Sequence, residues 1–444
     1  MVRAPVGVLI LAAVKLAVPT ETMPGERRVA VVPDVVARLA PTGVEVAVQS
    51  GAGVAAGFPD EAYRDKGATV SDLESVLRSA DMVATVQPPT PDEVASWPEG
   101  LSVVGFLQPG AHSASVSALS SRRSTAYSLD LLPRISRAQS MDALSSQATV
   151  SGYRAVLDAA ELLPKFFPLL MTAAGTVPPA KVLIMGAGVA GLQAIATARR
   201  LGAQVRAYDV RSAAKEEVQS LGATFVELPL ETQEGSGGYA REQSEDFLAR
   251  QREMLSREVA AADVVITTAA IPGRRAPVLI TRAMVEQMEP GAVIVDLAAD
   301  SGGNCEPTEA GRDVVVGRGV VVRGLSNPPS SMPAHASFLY ARNIANFLGL
   351  LVSDGVLAPD FDDEVVAGTC VVRSGDVVNA AARDALGLPP LAPAAGHDAP
   401  AAAASPGASG AGAEPPTAVL PNPTGPVDPT AAAAPADTDQ ETPQ

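Results

Sequence analysis

A chain of 444 residues with 47% hydrophobic content is long enough for two or three domains with real cores, although alanine near the C-terminus inflates that fraction. A formal charge of -16 with only 9 Phe, 6 Tyr and 1 Trp argues against nucleic-acid binding, which needs a basic footprint. No uncharged apolar stretch reaches the roughly 18 residues needed to cross a bilayer, and the two cysteines, Cys305 and Cys370, form no metal or redox motif and fit a reducing cytosol.

Arg3 and the apolar run Val6 to Val14 superficially resemble a short secretory signal, but Lys15 interrupts the run and no small-residue cleavage site follows. Residues 1–14 therefore read as an extension or a misplaced start, and "KLAVPTET" from Lys15 begins the first strand. Further strands are expected at 44–48, 81–86, 101–107 and 125–130, with helices between them such as Pro33 to Leu39 and Asp72 to Ser79. This alternation is the pattern of a parallel sheet covered by helices on both faces.

A long helix is expected from about Gln139 to Phe167, with Pro164 ending or kinking it. "KVLIMGAGVAGLQAIATARRLGAQVRAYDVR" opens a second α/β unit, with later strands near 224–226, 263–268, 292–297 and 319–323 and a helix from Ala334 to Val352. The fold expected is two Rossmann-like doubly wound parallel-sheet domains separated by a cleft: 15–138, completed by about 330–387, and 139–329. From Pro389 the chain is Ala, Pro, Gly, Ser and Thr with six acids and no Lys or Arg, so 388–444 reads as a disordered tail.

"GAGVAG" sets Gly186, Gly188 and Gly191 between a buried strand and an apolar-periodic helix. The first glycine allows the turn, the second the approach of a pyrophosphate and the third close helix packing, while the helix N-terminus supplies N–H groups. Asp209 closes the next strand, where an acid accepts hydrogen bonds from the adenosine ribose and repels a 2′-phosphate, so NAD(H) is favoured over NADP(H). Arg211 weakens that inference, its alternative role being a solvated charge at a helix start. The glycine-rich stretch "ETQEGSGGYAREQSED" (231–246) centres on Tyr239 and reads as a loop over the ligand, and "ITTAAIPGRRAP" (266–277) leaves another strand where backbone can approach a flat ring.

"PRISRAQSMDALSSQ" sets Gln139, Asp142 and Ser145 on one face of the expected helix, with Arg134 in the preceding turn. Capping by Ser136, or an Asp complementing the helix dipole, accounts for some of this set. A polar stripe facing a dinucleotide fold is better read as a site that orients a carboxamide-bearing ring.

With these motifs the chain resembles, from about Lys15 to Gly387, the alpha-subunit family of proton-translocating NAD(P) transhydrogenase, specifically its soluble NAD(H)-binding component. Besides the stretches quoted, "PTETMPGERRVAVVPDVV", "AAIPGRRAPVLIT" and "VDLAADSGGNCE" carry the resemblance. It implies that Arg134, Gln139, Asp142 and Ser145 hold the nicotinamide and its ribose, that Asp209 binds the other ribose, and that Tyr239 belongs to a mobile loop. The cofactor-binding set is completed by Gly186, Gly188, Val189, Ala190, Gly191, Val210, Arg211, Gly222, Ala269 and Ala270; no metal is expected.

The resemblance further implies a Si-/Re-specific enzyme in which a homodimer of this component exchanges hydride with NADP(H) on a beta subunit. That transfer is coupled to proton translocation through a membrane subunit. With no membrane helix of its own, the chain is expected to sit at the cytoplasmic face of the membrane through those partners. Asp300 stands where the family usually has Glu. Hydride transfer between two rings asks the protein for orientation and water exclusion rather than a general acid.

Two rival functions differ in kind. Alanine dehydrogenase shares the two-domain plan but needs a lysine and a histidine that align with Thr85 and Gln108 here, with His112 a nearby loop or cap residue. A non-catalytic NAD-sensing module has no use for the Arg134, Gln139, Asp142 and Ser145 set.

Overall fold

The computed structural model describes residues 13–227, 245–269 and 275–391. The first run supplies strands β1 (Val14–Val18), β2 (Val44–Gln49), β3 (Thr69–Ser71), β4 (Met82–Ala84), β5 (Ser102–Gly105) and β6 (Thr125–Ser128). Helices α1 (Pro33–Leu39), α2 (Asp60–Asp65), α3 (Leu73–Arg78), α4 (Pro91–Ser96) and α5 (Ser113–Ser121) alternate with them. Along β1 the side chains divide cleanly between faces. Leu16 and Val18 join a core with α1, and Ala17 joins one with α3 and α5.

The segment expected to be one helix from Gln139 is two elements. A 3-10 helix covers Ser136–Met141, and α6 (Ala143–Leu162) starts only after Asp142, whose φ of -70° and ψ of 87° break the helical path. At the other end α6 stops before Leu163 and Pro164, because a residue preceding proline is driven out of the helical region. Ala143 lies in the core of the first sheet and Ala155 to Leu163 in that of the second, so α6 belongs to both.

A hairpin follows, β7 (Leu170–Thr172) with β8 (Gly175–Val177), paired to each other and to no other strand among the described residues. Next come β9 (Lys181–Met185), α7 (Val189–Arg200), β10 (Gln204–Tyr208), α8 (Ala214–Ser220), β11 (Thr224–Phe225) and α9 (Glu245–Ala261). They are followed by β12 (Val264–Thr267), α10 (Arg282–Glu286), β13 (Val293–Asp296), β14 (Asp313–Val316) and β15 (Val320–Gly324). The second sheet runs β11-β10-β9-β12-β13-β15-β14, and only β14 is antiparallel.

The chain then returns to the first core through the long helix α11 (Pro333–Leu351), where Tyr340, Ile344, Phe347 and Leu348 are buried. A short hairpin, β16 (Val352–Ser353) and β17 (Val356–Leu357), and α12 (Glu364–Thr369) lead to β18 (Cys370–Arg373) and β19 (Asp376–Val377). These last two strands add to the first sheet antiparallel to β6, giving β19-β18-β6-β5-β4-β1-β2-β3. Both sheets are therefore doubly wound about a central strand, β1 or β9, with antiparallel strands at one edge that the alternating pattern did not predict. Such a sheet binds ligands where strand order reverses, at the carboxyl ends of its central strands. Among the described residues no helix is long and apolar enough to cross a membrane.

Candidate functional site

In the second sheet order reverses between β9 and β12, and the glycine-rich turn leaves β9 at that point. Gly186 has φ +106°, and a Cβ there would sit 2.5 Å from Thr268 Oγ1, so glycine is required twice over. A Cβ on Gly191 would lie 1.8 Å from the Gly186 carbonyl oxygen, which explains how closely α7 approaches the turn. Gly188 is different: a Cβ there would meet no protein atom within 4 Å. It is the N-cap of α7 and carries no side chain to occupy the helix end, leaving that end open for an anionic group. Val189, 42% exposed, and the half-buried Ala190 stand beside it.

Asp209 follows the end of β10. Its Oδ2 accepts from Ala187 N at 2.7 Å, tying the acid to the glycine turn. Arg211 donates to Asp209 through its backbone N (2.8 Å), Nε (3.0 Å) and Nη2 (3.1 Å), so it is a partner of the acid rather than a solvated charge. Burial opposes ionisation of Asp209, but these hydrogen bonds and the guanidinium outweigh it and hold the carboxyl below its ordinary range. Val210 packs against the core between α9 and the sheet.

Ala269 follows the end of β12, beside Gly186. Its N–H donates to Asn304 Oδ1 (3.0 Å) and its carbonyl accepts from Asn304 Nδ2 (2.8 Å). Gly222 does not join this group. It precedes β11 at the amino ends of the strands, with φ +78° after α8 and Arg199 beside it, and those local demands account for it as a helix-terminating glycine. Tyr239 and Ala270 lie outside the described residues, as do most of the 231–246 loop, Pro272, Gly273, residues 1–12 of the extension and 392–444 of the tail.

The polar set before α6 is reorganised relative to the expectation of one helical stripe. Asp142 is the N-cap: Oδ1 accepts from Ser145 N (2.9 Å) and Oδ2 from Ser145 Oγ (2.6 Å). Capping thus falls to Asp142, and Ser136 makes no cap. Gln139 sits on the 3-10 turn, not on α6, so it shares no α-helical face with the other two. Arg134 and Gln139 are both exposed, and neither side chain makes a hydrogen bond among the described residues. What the structure assembles is a capped helix start flanked by two uncommitted hydrogen-bonding side chains. The helix connects this start to the glycine turn, because a Cβ on Gly152 of α6 would lie 2.0 Å from the Ala190 carbonyl oxygen.

Several contributors were missed in the sequence. Arg28 makes a two-pronged ion pair with Glu26 (Nε–Oε1 2.9 Å, Nη2–Oε2 2.7 Å) and donates to Gln147 Oε1 on α6 (2.9 Å) and to Asn327 Oδ1 (3.1 Å). Asn327 N in turn donates to Asp300 Oδ2 at 3.0 Å. Burial works against the Glu26 carboxylate, yet Arg28 brings its pKa down to about 2. Glu21, in the loop after β1, accepts from Val86 N (2.6 Å) and Gln87 N (3.0 Å) at the end of β4, and burial pushes it up to about 7. This is the point where order reverses in the first sheet, and the chain's own carboxylate holds it. A cavity of about 200 Å³ adjoins it, lined by Glu21, Thr85, Gln87 and Trp97 among others. The isolated Gly152 in a helical pattern and the lone Asp296 ending "VIVD" were the sequence signals available for this layer.

Alanine dehydrogenase/PNT, N-terminal domain, matches residues 17–151, and Alanine dehydrogenase/PNT, C-terminal domain, matches 155–380. The chain is 50% identical over 378 residues to the first of the polypeptides that make up NAD(P) transhydrogenase subunit alpha in Rhodospirillum rubrum, covering 83% of this chain and 98% of that one. It is 30% identical over 351 residues to alanine dehydrogenase of Bacillus subtilis (strain 168), covering 74% and 85%. The crystal structure of transhydrogenase from Sinorhizobium meliloti matches with a TM-score of 0.76 at 43% identity, over 82% of this chain and 100% of that chain.

Proposed function

The chain belongs to the alanine dehydrogenase/PNT family, on its NAD(P) transhydrogenase alpha-subunit side, and we propose that it is the NAD(H)-binding component of a proton-translocating transhydrogenase. In this reading hydride passes between NAD(H) on this chain and NADP(H) on a partner beta subunit. A membrane subunit couples the transfer to proton movement, and the chain works as a homodimer at the cytoplasmic face of the membrane.

The observation that carries the NAD(H) assignment is the trio Gly188, Asp209 and Ala269 at the ends of three neighbouring strands, with Gly188 the glycine whose openness no protein contact explains. The bound dinucleotide supplies the hydride chemistry itself. The chain's role is to seat a pyrophosphate at the start of α7, to receive the adenosine ribose at Asp209, and to offer Arg134, Gln139, Asp142 and Ser145 to a carboxamide and ribose. Asp142 and Ser145 do so from a rigid helix start, and Arg134 and Gln139 from exposed positions free to pair. No proton transfer at a substrate carbon is required of these groups.

Alanine oxidation is disfavoured by the first sheet. Thr85 is 4% exposed, with its Oγ1 against Gly105, and has neither the charge nor the reach of a lysine. Gln108 replaces an imidazole, and His112 stands at the N-cap position of α5 without a side-chain cap bond. The buried cation Arg28 is already neutralised by Glu26. The deciding experiment mixes the chain with an NADP-binding partner and follows NADPH-dependent reduction of an NAD analogue. Turnover is expected, and alanine-dependent NADH formation by the chain alone would overturn the proposal.

A further inference from the structure

Two stretches singled out in the sequence, the exit from β12 and the turn after β13, are joined by one side chain. Asn304 is fully buried. Its Oδ1 accepts from Ala269 N (3.0 Å), and its Nδ2 donates to both Ala269 O (2.8 Å) and Pro277 O (2.8 Å). The Asn304 backbone is equally committed: its carbonyl accepts from Leu279 N (2.8 Å) and Ile280 N (3.0 Å). The turn that presents it is built on Gly302 and Gly303, at φ +102° and +79°.

Behind Asn304 stands Asp296, fully buried and in no ion pair among the described residues. Its oxygens accept from Asn304 N (2.8 Å), Cys305 N (3.0 Å), Thr308 Oγ1 (2.8 Å), Thr267 Oγ1 (2.9 Å) and Ala298 N (2.9 Å). A buried carboxylate is tolerated only when so fully bonded, and such a network is stiff because losing one member strands the others. Thr268 Oγ1 fixes the same strand exit to the glycine turn through Gly186 O (3.0 Å).

We propose that Asn304 is a positioning residue for the bound dinucleotide. By bonding both backbone polar groups of Ala269, it sets that residue's peptide plane beside Gly186 and leaves a surface with no unpaired polar group there to hold water at the cofactor. This rests on the NAD(H) reading above. The clamp acts at the β12 exit, whereas the adenosine half of the ligand belongs to the β10 exit at Asp209. It therefore bears on the nicotinamide half.

The test compares wild-type chain, Asn304→Ser and Thr308→Val by titration with NADH and with 5′-AMP, and by the rate of analogue reduction with the NADP-binding partner. Asn304→Ser is expected to keep AMP affinity within about twofold while NADH affinity or transfer rate falls about tenfold or more, the scale of one or two lost hydrogen bonds. Thr308→Val leaves the Asn304 amide in place and is expected to change both ligands by less than about twofold. Equal losses for NADH and AMP, or no loss in a folded Asn304→Ser, overturn the proposal. If Asn304→Ser does not fold, hydrogen exchange on the wild type decides. The Ala269 amide must be protected without nucleotide, as the β12 ladder amides are, and exchange there at open-chain rates overturns the clamp. A wild type that binds no NADH overturns the functional reading instead, while the exchange measurement still tests the clamp.

Discussion

Arg211 covers Asp209: three of its donors and the Ala187 amide occupy both oxygens of the carboxylate to which a ribose would bind. The acid is held ionised, but its charge is shared with a half-buried guanidinium. NADH is expected to bind more tightly than NADPH, and Arg211→Ala is expected to widen the gap by removing the cation that screens Asp209 and can meet a 2′-phosphate. Asp209→Asn should cost about tenfold in NADH affinity, the scale of one charge-assisted hydrogen bond, and narrow the gap. Fluorescence titrations with both nucleotides check this, and equal wild-type affinities would sink the assignment of Asp209.

Asp142 has two jobs that substitutions can separate. Asn is as good an N-cap as Asp, so Asp142→Asn should leave the thermal midpoint nearly unchanged, whereas Asp142→Ala should cost about 1 kcal/mol of stability. If the charge also orients the ring, Asp142→Asn and Gln139→Asn will slow hydride transfer more than they weaken NADH binding. Parallel losses in rate and affinity would assign both residues to uniform binding.

The two jobs of Asp142 also mark what sequence could reveal. Periodicity and the glycine spacing located the central strands, the turn after β9 and the return helix near residue 334, because those features are local. The break between Gln139 and Asp142 was not legible, since a continuous helix and a 3-10 turn followed by a cap share the same polar spacing. Gly222 was misjudged for a related reason, a helix-terminating glycine being indistinguishable in sequence from a ligand-facing one. Arg28, Gln147 and Asn327 meet only through long-range packing, and no motif spacing announces a contact between residues separated by 119 and 299 positions.

Gly152 has no room for a methyl group, because the Ala190 carbonyl stands 2.0 Å from where its Cβ would be. Gly152→Ala must push α6 away from the start of α7, and overpacking of this kind costs about 1–3 kcal/mol. NADH affinity should fall with it, since Ala190 lies in the glycine turn. Calorimetry and NADH titration on the same sample check the coupling; loss of stability with unchanged affinity would separate the helix contact from the site.

The β7–β8 hairpin carries Met171 at 78% exposure, with Phe166, Leu169 and Val177 also exposed. A lone two-stranded hairpin is marginal in water, and apolar side chains on it call for a partner surface. In the proposed homodimer that surface is a second copy. Met171→Asp is therefore expected to shift the chain from dimer to monomer in sedimentation equilibrium without changing its far-UV spectrum. A monomeric wild type, or a dimeric Met171→Asp, would move the interface elsewhere.

Glu21 gives the fold an unusual pH dependence. Its carboxyl titrates near the ordinary value of 4.5 when the chain is unfolded and at about 7 when folded, burial being the principal cause. Between those values the folded state binds the extra proton, so stability falls as pH rises through the window and levels off above it. A shift of this size corresponds to about 3 kcal/mol between pH 4 and pH 8. Glu26 acts oppositely but lower: its folded value of about 2 makes stability fall as pH drops below 4.5, outside the window in which Glu21 acts. Thermal melts from pH 4.5 to 8 should therefore decline for wild type and flatten for Glu21→Gln, whatever the variant's absolute stability. Identical slopes for the two proteins would mean that Glu21 ionises normally, and that the amides of Val86 and Gln87 fully offset its burial.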